Sequence, residues 1–156
     1  MKKINIITGK IRSGKTTFLK HNISELKNVG GILQPTVGED RFFEDINTSE
    51  SQIITSQKES KETFRLGRFL FYRKSFSWAK EKLEKTLVDG TEIIVIDEYG
   101  LLELNDKGLE PIVSAIIEFV QSENDKKAII IIRESLVDEF IRKFNLSEED
   151  VEITRV

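Results

Sequence analysis

A chain of 156 residues suits one hydrophobic core. Its 38% hydrophobic and 33% charged residues exclude a disordered or a membrane-embedded chain. A net charge of −3 argues against whole-surface attraction to nucleic acid, and the lack of cysteine removes disulfides, thiolate zinc sites and thiol catalysis.

Lys3 to Thr8 is apolar and β-branched and predicts a first strand. Gly9 to Gly14 reads as a turn. Lys15 to Lys27 carries Phe18, Leu19, Ile23 and Leu26 on one helical face, stopped by Asn28 and the pair Gly30-Gly31. Gly31 to Thr36 predicts a second strand, and Val37 to Asp40 a turn. Arg41 to Ile46, with Gln52 to Thr55 pairing beside it, predicts a small antiparallel insert, taken as residues 37–66. Phe69 to Tyr72 reads as a strand and Ser75 to Val88 as a helix with Phe76, Ala79, Leu83 and Leu87 on one side.

Glu92 to Asp97 is the clearest strand, with the continuous apolar centre expected when helices cover both sheet faces. A helix over Gly108 to Gln121 carries Pro111 in its first turn. A strand over Ala128 to Ile132, a helix over Leu136 to Phe144 and a short strand over Val151 to Thr154 complete the chain. Strands alternating with helices imply an α/β fold, a three-layer sandwich around a mostly parallel sheet with the small antiparallel insert. No repeat or linker divides the chain, so residues 1–156 read as one domain. The apolar run from Ala128 to Ile132 is too short to span a bilayer, and Gly9 and Lys10 interrupt any signal-peptide core after Lys2-Lys3. A cytoplasmic monomer without a membrane partner is expected; the acidic balance argues against nucleic acid but leaves room for a local basic groove. The single His21 cannot build a histidine metal site and reads as a surface or structural residue.

Gly9-Lys10-Ile11-Arg12-Ser13-Gly14-Lys15-Thr16 fits G-x-x-x-x-G-K-[ST] at every fixed position. Its glycines let successive backbone N–H groups turn toward a phosphate, and the following helix adds its positive end. The motif assigns phosphate binding to Gly9, Lys10, Ile11, Arg12, Ser13, Gly14, Lys15, Thr16 and Thr17, with Lys15 on the β- and γ-phosphates and Thr16 on Mg²⁺. Ile93 to Asp97 fits the second half of such a site, an apolar strand ending in a metal-holding aspartate. Glu98, next in the chain, is expected to orient the attacking water or accept its proton, and Glu103 is left between positioning the loop, assisting the metal and a surface role.

Phosphoryl transfer also needs positive charge at the γ-oxygens. The candidates are Arg12, Arg41, Arg65, Arg68, Arg73, Lys74 and Arg133, with Arg133 favoured because it ends a predicted central strand. Lys58, Lys61, Arg65, Arg68, Arg73 and Lys74 lie among Glu59 and Glu62 and read as a solvated mixed-charge face. The aromatic-rich middle, Phe64 to Trp78, reads as core. Phe42, Phe43 and Tyr99 are kept for base stacking or a hydrophobic lid.

These stretches together resemble the thermophile-type (cancer-related) nucleoside-triphosphatases. The resemblance rests on Gly9 to Thr17, on Gly30-Gly31-Ile32-Leu33, on Phe76 and Ala79, and on Val95-Ile96-Asp97-Glu98-Tyr99-Gly100-Leu101-Leu102-Glu103-Leu104, and it covers essentially the whole chain. It implies a RecA-like domain that slowly hydrolyses ATP, GTP and other nucleoside triphosphates with Mg²⁺ and little base selectivity. It also implies Lys15 and Thr16 as phosphate and metal contacts, Asp97 as the Mg²⁺ carboxylate and Glu98 as the water-activating group. The chain departs from the family at Lys10-Ile11-Arg12-Ser13, which lacks a further glycine or proline, at Gln34 to Arg41, and at Ile132, where a histidine is common. Three uses of the site stay open on the residues: hydrolysis, phosphoryl transfer to a small molecule or nucleoside, and a nucleotide-gated binding module.

Overall fold

The computed structural model describes residues 1–10 and 14–156. The strands β1 (Ile4–Gly9), β2 (Val29–Leu33), β9 (Ile93–Tyr99), β10 (Lys127–Arg133) and β11 (Val151–Arg155) pair in parallel in the order β11-β1-β10-β9-β2. The central strands are apolar on both sides because helices cover both sides. Ile94, Ile96, Ala128, Ile130 and Ile132 face α2 (Arg73–Thr86), α4 (Ile112–Ser122) and α5 (Val137–Lys143). Their neighbours Val95, Ile129 and Ile131 face α1 (Lys15–Ile23) through Leu19 and Phe18. The result is the expected three-layer α/β sandwich.

Between β2 and α2 the chain builds antiparallel structure: β3 (Thr36–Val37), β4 (Asp40–Asp45) and β5 (Ser51–Ile53) extend the main sheet. Beside them, β6 (Thr55–Ser56), β7 (Thr63–Leu66) and β8 (Phe69–Tyr72) form a separate three-stranded sheet. Phe43, Ile54 and Phe71 of this insert share the core of the helices and the parallel strands, with Phe43 edge-on to Phe76 at 5.0 Å.

Several boundaries differ from the sequence reading. The first helix stops at Ile23, where a turn at Ser24 and Glu25 is closed by the Leu26 N–H on Ile23 O at 3.1 Å, and β2 starts at Val29. Strand β7, absent from the sequence reading, is recruited by β8 through the two-residue loop Gly67-Arg68, with Gly67 at φ 58°. A short helix, α3 (Leu101–Leu104), follows β9, and Pro111 caps α4 from outside instead of lying in its first turn. Among the described residues no helix is long and apolar enough to cross a membrane.

Candidate functional site

The sheet order brings three strand ends side by side. Because β10 lies between β1 and β9, Gly9 is level with Arg133, and the end of β9 lies one strand further on. Clefts of open α/β sheets form at such carboxyl ends.

Gly14 enters α1 with φ 86° and ψ 23°, a left-handed conformation that a side chain resists. In the first turn of the helix the backbone N–H of Phe18 bonds to Gly14 O at 2.9 Å, and the N–H groups before it lie at the helix N-terminus, where anions are favoured. Lys15 Nζ curls over this turn and donates to the carbonyls of Lys10 at 2.6 Å and Gly9 at 3.3 Å. Thr17 is exposed at the cleft. The expected contacts of Ile11, Arg12 and Ser13 lie outside the described residues.

Asp97 is 2% exposed at the end of β9. The Thr16 hydroxyl reaches its two carboxylate oxygens at 3.1 and 3.3 Å, and the backbone N–H of Gln34 donates to Oδ2 at 2.8 Å. Burial, opposed by these two neutral donors, pushes the Asp97 carboxyl up to about 6. The contact with Gln34 needs β2 to press closely on β9. At Gly31, with φ 124°, an added Cβ would lie 2.1 Å from Val95 O, so glycine is the residue that permits the approach. The sequence reading used Gly30-Gly31 as a helix stop, and the Gln34 contact was not foreseen. Its one signal was a glycine pair opening an apolar strand.

Glu98 stands on a bulge. Ile130 pairs with Ile96 and Ile132 with Tyr99, so β9 takes three steps where β10 takes two. Glu98, at the extra position, has φ 82°, a conformation few residues other than glycine adopt. The bulge puts Tyr99 on the same face as Ile94 and Ile96, where it packs edge-on to Phe140 at 5.0 Å. It leaves Glu98 half-buried at the strand end, between two cavities.

The larger cavity is a cleft of ≈1050 Å³ lined by Gly14, Lys15, Thr16, Thr17, Glu98 and Arg133 from the sheet side. From the insert it is lined by Arg41, Arg68 and Phe69. The guanidiniums of Arg41 and Arg68 stack on Phe69, at 4.7 and 5.0 Å from its ring centre. Among the described residues, Arg41, Arg68 and Arg133 have no carboxylate ion-pair partner, so three cations converge on one cleft. Arg68 is exposed at the tip of the β7–β8 hairpin, as the solvated-face reading has it, and it also lines the cleft, stacked on Phe69. Arg65 does face solvent, 3.8 Å from Glu59, while Arg73 and Lys74 lie over Phe64 and Tyr72 outside the cleft.

The smaller cavity, ≈350 Å³, adjoins the first and shares Glu98, Arg41, Arg68 and Arg133 with it. Its walls are mainly apolar. Phe43 and Tyr99, kept for base stacking or a lid, belong to the core, with exposures of 1% and 0%. Phe42 is half-buried on β4 and lines neither cavity.

Glu103 is buried and holds the loop after β9 in shape. Its Oε1 accepts the N–H of Gly100 at 2.9 Å and its Oε2 the N–H of Leu109 at 3.0 Å. Burial raises its carboxyl above the usual carboxylate range. The Tyr99 hydroxyl bonds Glu103 O at 3.1 Å and Glu110 Oε2 at 3.3 Å, and burial and Glu110 push its phenol up. Of the readings left open for Glu103, its contacts match the one that positions the loop.

A family model described as NTPase matches residues 4–156. Among curated proteins, the chain is similar to the nucleoside-triphosphatase THEP1 of Thermotoga maritima, 26% identical over 88% of this chain and 78% of that protein. Among solved structures, it superposes on THEP1 from Aquifex aeolicus with a TM-score of 0.74 at 21% identity, over 97% of this chain and 88% of that one. A human cancer-related nucleoside triphosphatase superposes with a TM-score of 0.70 at 20% identity, over 99% and 88%. At these identities the two structures speak for the fold.

Proposed function

This chain belongs to the NTPase family and is a nucleoside-triphosphate phosphohydrolase, and we propose that it acts with Mg²⁺, with little preference among bases, in the cytoplasm, where nucleotides and Mg²⁺ are plentiful. One observation carries the reading. The phosphate-loop helix, the Thr16–Asp97 pair and Glu98 open into a single arginine-lined cleft.

Asp97 fits a magnesium site. It is a buried carboxylate whose direct donors are both neutral, with a hydroxyl oxygen beside it, and hard oxygen ligands of this kind suit Mg²⁺. Thr16 and Asp97 would hold the ion, which when bound neutralises charge on the β- and γ-phosphate oxygens. The loop residues Gly9 to Thr17 bind the triphosphate through backbone N–H groups, and Lys15 leaves the carbonyls of Gly9 and Lys10 for the phosphates. Glu98 orients the attacking water and takes its proton. Arg133 stabilises the charge that develops on the transferred group, while Arg41 and Arg68 draw the triphosphate into the cleft. The insert brings Phe69 and two arginines to the cleft beside the polar side chains of Thr36, Thr55, Ser56 and Gln57, and stacking or cation–π contact on Phe69 and the arginines tolerates any base.

Phosphate release from ATP, GTP, CTP and UTP, with and without Mg²⁺, tests this on the wild type and on Lys15→Ala. Mg²⁺-dependent release from all four, lost in Lys15→Ala, is expected. Release independent of Mg²⁺, or untouched by Lys15→Ala, overturns the assignment.

A further inference from the structure

Hydrolysis leaves the smaller cavity unexplained. A water molecule occupies roughly 30 Å³ and needs polar partners, whereas this pocket holds ≈350 Å³ and is walled by side chains such as Phe71, Phe76, Leu66 and Leu102. A site built only to hold an attacking water has no use for such walls. The pocket also opens at the reacting end of the cleft. The residues common to both cavities include Glu98, set on its bulge, and the three arginines.

We infer that this pocket seats a small phosphoryl acceptor, a primary alcohol with a flat aromatic body, and that the protein is a kinase for it as well as a nucleoside-triphosphatase. The inference rests on the nucleotide reading above. The volume matches a ligand of metabolite size, and apolar walls with a few convergent polar groups are the usual build of such sites. Aromatic walls favour an aromatic body. The only carboxylate at the junction that is neither buried nor engaged with backbone N–H groups, among the described residues, is Glu98, so the hydroxyl points to it.

The transfer balances without any further reactant. The acceptor hydroxyl gives its proton to the Glu98 carboxylate while its oxygen forms a bond to the γ-phosphorus. The bond from that phosphorus to the β,γ-bridging oxygen breaks, and its electron pair leaves with the nucleoside diphosphate. The products are the phosphorylated alcohol and the diphosphate. With the pocket unfilled, water takes the acceptor's place and the reaction is hydrolysis.

The test incubates the full chain with Mg²⁺ and ATP and each of benzyl alcohol, 4-(hydroxymethyl)pyridine, thymidine and adenosine, and follows ADP and any phosphorylated alcohol by ³¹P NMR. At least one alcohol is expected to raise ADP formation about tenfold, since a seated nucleophile gains the advantage of position, with one phosphorylated alcohol formed for each extra ADP. Leu66→Trp, which fills the pocket from β7, is expected to abolish the stimulation. Leu101→Trp, at a position 51% exposed on the pocket lip, does the same by a substitution the fold tolerates. Basal phosphate release is the control. If wild type releases phosphate from ATP but phosphorylates none of the four alcohols, the inference falls and the hydrolase reading stands. If a phosphorylated alcohol forms equally in both tryptophan variants, the pocket assignment falls. If there is neither release nor product, the nucleotide reading falls with it.

Discussion

Asp97 and Glu98 are neighbours in the chain and opposites in setting: Asp97 is 2% exposed and bonded to Thr16 and Gln34, while Glu98 stands at the junction of two cavities with φ 82°. A regular strand would send them to opposite faces of the sheet, one of them into the helix-covered core. The bulge between Ile96 and Tyr99 avoids that and keeps both carboxylates at the strand end. Division of labour follows from the setting: the buried acid holds a cation, and the half-open acid handles a proton.

Glu98→Gln tests that division. The amide keeps the shape and hydrogen-bonding reach of the side chain and loses its basicity. Turnover is expected to fall by about 10²–10⁴-fold, the usual range for a lost general base. Calorimetric affinity for Mg²⁺ and a nucleoside triphosphate should stay within a few-fold of wild type. Unchanged turnover would remove Glu98 from the proposed chemistry.

Asp97→Asn separates stability from function. In the folded protein the Asp97 carboxyl ionises at about 6, against an ordinary value of 3.8. The folded state therefore holds this proton where the unfolded chain has released it, and stability falls as pH rises from about 4 to 6. Above that window the ionised side chain costs about 3 kcal/mol in the absence of a cation. With EDTA present, Asp97→Asn is expected to melt above wild type by roughly 5–10 °C at pH 7. The gap should close as pH is lowered to 4, and Mg²⁺-dependent nucleotide binding should be lost. Equal melting temperatures at pH 7 would contradict the burial argument.

Much of this arrangement was legible in the sequence because it depends on local signals. The phosphate motif, the apolar run ending in Asp97 and Glu98, and the basic end of the strand at Arg133 are each contiguous, and a parallel sheet brings strand ends together whatever the loops do. The missing features are non-local. Strand β7 has too little alternation of its own and exists because β8 pairs with it. Arg68 is solvated as its charged neighbours suggest, but its stacking on Phe69 at the cleft follows from the hairpin tip and not from its sequence window. The bulge at Glu98 is invisible in Ile-Asp-Glu-Tyr, since only the register with Ile130 and Ile132 reveals it. The apolar pocket is assembled from the insert, α3 and the segment at Leu136, which no window of sequence holds together.

Gly31→Ala probes the close approach of β2 to β9. The new methyl group would overlap Val95 O at a position with φ 124°. Overpacking and a disfavoured backbone together are expected to destabilise the protein by about 2–5 kcal/mol by denaturant titration. Gly38→Ala is the control, with φ 64° and open space around its Cβ, and should lose only the backbone-angle part, about 1–2 kcal/mol. Similar losses for the two would place the constraint in the backbone angle instead of the strand contact.

Glu103→Gln asks whether the loop after β9 is held by that carboxylate. Glutamine brings one acceptor oxygen and one donor group to a place where the N–H groups of Gly100 and Leu109 both need acceptors. One buried donor is left facing another, and the loss is expected to be about 1–3 kcal/mol. Nucleotide affinity should change little, because Glu103 does not line the phosphate cleft. A large loss of Mg²⁺ affinity with unchanged stability would revive the metal-assisting role considered for this residue.

Arg133 and Arg68 should separate kinetically, because they are held differently. Arg133 ends a central strand level with Gly9, and its position is fixed by parallel pairing. Arg68 is carried on a hairpin tip and held by stacking on Phe69. A charge fixed in place before the reaction stabilises the transition state without reorganising, whereas a charge on a hairpin adds mainly to substrate capture. Arg133→Ala is therefore expected to lower kcat by about 10²–10³-fold with a small change in KM. Arg68→Ala should raise KM and leave kcat near wild type. Steady-state phosphate release over a range of ATP concentrations reads both constants. If the two variants show the reverse split, the transition-state charge comes from the insert and not from the sheet.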